Sequence, residues 1–198
     1  MRTLDLNGKL AEAIKTRSIV RLTRKVEAGH ADGYVIAKSN QWLLLLLIGE
    51  GVTYAGFQAF RLRDVSSLQA PSPYASFYQA ALRKRRLRRP AAPKLNLSTT
   101  QELVRSAGAR FPLVTLHREK ADPDVCHIGR VVSVSPTSAS LLEVTPHAKW
   151  EESPTAYRLA QVTRVDVGGP YEEALSLVAP ANPSVKGTGL RPAPYVER

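Results

Sequence analysis

Two copies of one short phrase constrain this chain more than any other feature. Phe60-Arg61-Leu62-Arg63-Asp64-Val65 and Tyr157-Arg158-Leu159-Ala160-Gln161-Val162 both read aromatic-Arg-Leu-x-x-Val, 97 residues apart. Fourteen residues after each aromatic stands another, Tyr74 and Tyr171. Upstream, Gly33-Tyr-Val-Ile aligns with Gly129-Arg-Val-Val, and Val20-Arg-Leu-Thr-Arg with Val114-Thr-Leu-His-Arg. The offset drifts from 94 to 97, so any insertions fall in loops. Four matches in one order point to an internal duplication. The competing explanation is chance agreement among generic strand and helix patterns. At 43% hydrophobic residues, the 198-residue chain supplies enough apolar side chains for packed cores.

Each copy shows the same series of elements. A short helix leads, at about 6–15 and 100–107, the second with Thr99 and Glu102 at capping-box spacing. Strand-like runs follow at about 17–25, 33–39, 42–48, 56–62 and 64–68, and then at 112–119, 128–135, 138–145, 154–159 and 161–167. A helix with proline at its first position closes each copy, after Ser72-Pro73 and Gly169-Pro170. Tyr74, Phe77, Tyr78, Ala81 and Leu82 share a helical face, as do Tyr171, Ala174, Leu175 and Val178, and these faces are expected against the strands. The expected class is mainly β with short helices (α+β). Five short strands bury their edges most simply by closing. The expectation is two tandem five-stranded small barrels, each with a leading and a closing short helix. Their spans are 1–89, a linker at 90–97, 98–179, and a tail at 180–198.

A leading helix followed by five bent strands resembles the Sm-like member of the SH3-like barrels in element order, without Sm signature residues. Asp32-Gly-Tyr-Val-Ile, Ala59-Phe-Arg-Leu-Arg-Asp-Val, Tyr157-Arg-Leu, Thr163-Arg-Val-Asp and Tyr171-Glu-Glu-Ala-Leu look like phrases of uncharacterised bacterial proteins. This likeness to a tandem small-barrel family covers most of 17–179. It implies a bacterial cytosolic origin and carries no activity over.

Charge separates the halves. Residues 1–97 hold 17 Lys/Arg against 6 Asp/Glu, whereas 98–198 hold 11 of each, so the whole net charge of +11 lies in the first half. Six cations sit together: Arg83, Lys84, Arg85, Arg86, Arg88 and Arg89. Such a run contacts phosphates without reading sequence. It equally suits a solvated helix end, where the macrodipole favours cations. Arg17, Arg21, Arg24, Lys25, Arg61 and Arg63 are candidates to extend the basic surface. Tyr34, Trp42, Tyr54 and Phe57 are candidates to stack on bases, though all four suit core or strand-end positions.

Other chemistry finds little footing. Cys126 is the one cysteine, which excludes an intramolecular disulfide and suits a reducing cytosol. Cys126-His127 with His117 and His30 falls short of a structural zinc set, and adjacent strand residues point to opposite faces, which disfavours a Cys–His nucleophile pair. No phosphate-binding glycine loop or nucleophile elbow is present. The expectation is no enzyme, no metal and no cofactor. The apolar run Trp42–Ile48 is far shorter than the roughly 20 residues that span a bilayer; it reads as a buried strand, and no membrane partner is expected. The Pro-rich tail reads as an extended docking segment. Two functions stand. One is a non-catalytic adaptor acting through protein contacts or self-association. The other is a sequence-nonspecific RNA- or DNA-binding protein using 83–89 and the first unit.

Overall fold

The computed structural model describes residues 5–181. The chain divides into two compact units, Met1–Ala92 and Pro93–Arg198. In the first, α1 (Leu6–Thr16) is capped by Asp5, whose carboxylate accepts from the Gly8 N–H at 2.8 Å. Five strands follow: β1 (Ile19–Arg24), β2 (Ala31–Lys38), β3 (Trp42–Gly49), β4 (Thr53–Arg61) and β5 (Val65–Gln69). A 3₁₀ turn, Leu62–Asp64, joins β4 to β5, and α2 (Ala75–Lys84) follows. All pairings are antiparallel, in the order β5-β1-β2-β3-β4.

The two closed Sm-like or SH3-like barrels expected from the sequence are not formed. In the first unit β4 pairs with β3 and β5 with β1, and no ladder among the described residues joins β4 to β5. The 3₁₀ turn carries the chain away from β4, so that Val65 meets Arg24 while Arg61 stays opposite Trp42. Closure was expected because five short strands cannot bury two faces alone. The helices supply that cover instead. Leu10 and Ala13 of α1 pack with Val20, Leu22, Val35, Leu43, Leu45 and Phe60. Ala75 and Leu82 of α2 pack with Ile19 and Ile48. A fully buried side chain of this kind stabilises by about 1.5–3 kcal/mol.

The apolar run Trp42–Ile48 forms the expected buried strand, within β3. Trp42–Leu46 and Ile48 are all buried, and a strand covered on both faces loses the usual alternation. Gly33 leaves no room for a side chain between β2 and β3, since a Cβ there would lie 2.2 Å from the Leu46 carbonyl oxygen.

The second unit begins with α3 (Thr100–Gly108), then β6 (Val114–His117), β7 (Cys126–Val134), β8 (Ser138–Glu143), β9 (Thr155–Arg158), β10 (Arg164–Val167) and α4 (Pro170–Val178). Its strands run β10-β6-β7-β8-β9, again antiparallel and open within the unit. Thr99 caps α3 by accepting from the Glu102 N–H at 3.1 Å, while the Glu102 carboxylate turns to Arg105. Leu103, Val104 and Ala107 of α3 are buried, and Leu175 of α4 packs with Leu113, Ile128, Val144 and Ala148.

The closing helices bury a narrower face than their aromatic spacing suggests. In α2 the buried line is Ala75 and Leu82 with Tyr78 partly covered, while Tyr74 and Phe77 are 53% and 58% exposed. In α4 Leu175 is buried, and Tyr171 and Val178 face solvent. Among the described residues no helix is long and apolar enough to cross a membrane. Of the tail read as a docking segment, 182–198 lies outside the described residues.

Candidate nucleic-acid interface

One buried carboxylate organises the start of α2. Asp32 lies on β2 opposite Arg21 of β1 and is 4% exposed. Arg21 donates to it twice, Nε to Oδ1 at 3.1 Å and Nη2 to Oδ2 at 2.6 Å. Ser72 donates its hydroxyl to Oδ1 at 2.9 Å, and the Tyr78 hydroxyl donates to Oδ2 at 3.0 Å. Burial pushes the Asp32 carboxyl up. The hydrogen bonds from Arg21, Ser72 and Tyr78 outweigh that and hold it below the ordinary carboxylate range. The same Arg21 guanidinium lies 4.9 Å from the centre of the Tyr74 ring. Phe77 leans on the anchored Tyr78, with ring centres 5.8 Å apart.

The other end of α2 carries the basic run. Arg86 takes the left-handed conformation, φ +54°, after the last helical turn. Its N–H donates to the Arg83 carbonyl at 3.0 Å, and the Leu87 N–H donates to the Leu82 carbonyl at 3.1 Å. This pair of bonds is a Schellman stop, a place usually given to glycine. Arg17 fills the equivalent place after α1, at φ +52°. Arg85 donates to the carbonyls of Gly51 and, at 3.4 Å, Val52. Arg89 folds back over Tyr34, 4.3 Å from the ring centre. Partial burial lowers the Arg89 guanidinium pKa while Tyr34 and Tyr54 oppose that effect, and an arginine so placed stays charged.

The six cations of 83–89 therefore divide by role. Arg85 and Arg89 pin the segment to the first unit. Arg83, Lys84, Arg86 and Arg88 are exposed, and their charges are left to solvent. Of the residues read as extending the surface, Arg21 is committed to Asp32, Arg24 is buried on Glu27 and Phe60, and Arg61 is buried over Trp42. Arg17, Lys25 and Arg63 remain exposed. Arg17 is near enough to Arg89 for their charges to interact.

The four candidates for base stacking occupy packed positions. Trp42 and Phe57 are buried, and Tyr34 and Tyr54 are part of the packing around α2, Tyr34 beneath Arg89. Aromatic spacing puts Tyr74 and Phe77 in the core, and Asp32 stands in the sequence only within a phrase of the resemblance, with no role of its own. The spacing Ala75–Tyr78–Leu82 was there to be read as an alternative buried line. Nothing in the local pattern marks Asp32 as a hub, because its partners lie 11, 40 and 46 residues away.

In the second unit Cys126 lies opposite His117 in the β6–β7 register, while the neighbouring His127 is engaged elsewhere. His117 lies 3.0 Å from Asp166 and 2.9 Å from Arg164, whereas His127 meets the Tyr157 hydroxyl at 2.9 Å. Partial burial and the Asp166 carboxylate push the Cys126 thiol up, away from the thiolate. Among the described residues no group of three or more His, Cys, Asp or Glu is placed to hold a metal. No protein-family model, curated protein or solved structure matches the chain.

Proposed function

We propose that the first unit binds nucleic acid without sequence preference, through phosphates held by Arg83, Lys84, Arg86 and Arg88 with Arg17 beside them. The observation that carries this reading is a set of four uncommitted cations on a segment fixed by Arg85 and Arg89. A fixed segment presents its charges in a defined place, and each neutralised phosphate releases counterions. The single thiol supports a reducing, cytosolic setting for this activity. The test is binding of a labelled oligonucleotide across a salt series. Four phosphate contacts should lose on the order of a hundredfold in affinity between 50 and 200 mM salt. Replacing Arg83, Lys84, Arg86 and Arg88 with Gln should abolish most binding; undiminished affinity in that variant would retire the reading.

A second reading, an adaptor that self-associates, draws on one observation in the neutral half. Leu177 and Val178 at the end of α4 are 71% and 73% exposed. Sedimentation should then show a mass that rises with concentration and falls back when both are replaced with Gln. A monomer at every concentration removes this reading.

A further inference from the structure

We infer that the preferred ligand is a single strand, RNA or DNA, whose bases stack on Phe77 and Tyr74 while its phosphates follow the basic run. This inference rests on the nucleic-acid reading above and names its substrate class. Duplex DNA hides its base faces in the stack, so exposed rings add nothing to its binding unless a base is flipped out. A single strand offers those faces freely, and every base has one.

Both rings are more than half exposed, although the same segment builds the core through Ala75 and Leu82. Each is held from behind. Arg21, itself fixed by Asp32, lies over Tyr74, and Tyr78, fixed by the same carboxylate, supports Phe77. A ring already held loses little freedom when a base settles on it. Phe77 and Lys84 stand two helical turns apart on one line of α2, a rise of about 10 Å. Phe77 and Lys84 thus lie on one face of the helix, and the charge at its end selects a polyanion over an apolar partner. A base on the solvent side of Tyr74 would complete a stack of base, ring and guanidinium.

The experiment compares oligothymidine, oligouridine and a mixed-sequence DNA duplex, each of about 16 units, by fluorescence anisotropy at low salt with the full chain. Phe77→Leu and Tyr74→Leu keep apolar bulk and remove the π face. Thermal melts confirm that the variants fold. The single strands should bind more tightly than the duplex. Each substitution should weaken single-strand binding roughly 5- to 100-fold, with duplex affinity and the salt slope unchanged. The two single strands differ in sugar and in the C5-methyl of the base, and preference for either over the duplex supports the inference. Equal binding of single strand and duplex, or variants indistinguishable from the parent on the single strands, would overturn it while leaving phosphate binding intact. Absence of binding to all three would instead remove the reading on which it rests.

Discussion

Asp32 is a short side chain with three hydrogen-bond donors and His30 Nε2 3.5 Å from Oδ2, and its position decides the geometry of α2's first turn. Ser72 and Tyr78 belong to the α2 segment, Arg21 to β1, and all three donate to this one carboxylate. Arg21 is half-buried rather than buried, so Asp32→Asn, which removes a charged hydrogen-bond partner, should lower stability at neutral pH by about 1.5–3 kcal/mol. The pH dependence has a fixed sign. The folded-state pKa of Asp32 lies below its unfolded value, so unfolding takes up a proton. The stabilisation is complete above the unfolded value of about 4 and is lost as pH falls through the lower folded value. Thermal melts of parent and Asp32→Asn should therefore converge as pH drops below about 4. Parallel melting curves across that range would show that Asp32 does not hold the segment.

At the scale of the element, α2 belongs to two systems at once. Its inner line, Ala75 and Leu82, is core, and its outer line, Tyr74 and Phe77, is solvent-facing. Leu82→Ala should cost about 2–5 kcal/mol in stability. Phe77→Ala should stay within about 0.5 kcal/mol, as exposed positions do. Chemical denaturation of both variants checks the division, and equal losses would contradict it. The existence and order of the strands and helices were legible in apolar runs, turn residues and the Pro residues at 73 and 170. The buried side of α2 was not. Aromatic spacing alone marks a face, and it cannot say whether that face or its neighbour, one residue over, meets the sheet. The barrel expectation failed for a related reason. The need to bury strands is local and readable, but the choice between closure and cover by helices depends on where the 3₁₀ turn at Leu62–Asp64 sends β5. The cluster 83–89 was visible as charge. Its split into two anchors and four free cations depends on Gly51 and Tyr34, which are distant in sequence.

For the molecule as a whole, the question is whether net charge or its placement drives the proposed binding. The chain carries +11, all of it from residues 1–97. A diffuse attraction would treat every exposed cation alike. A built site would distinguish those at the end of α2 from those elsewhere. Two variants with the same net charge separate these cases. One replaces Arg83, Lys84 and Arg88 with Gln; the other replaces Arg110, Lys149 and Arg158, which are exposed in the second unit. Each loses three positive charges, so long-range attraction falls equally in both. Each phosphate contact removed should lower the slope of log affinity against log salt by about one. The slope should therefore fall by about three for the first variant and stay near the parent's for the second. Equal reductions would mean that the site has no fixed location. A reduction confined to the first variant would assign the affinity to the segment that Arg85 and Arg89 hold in place.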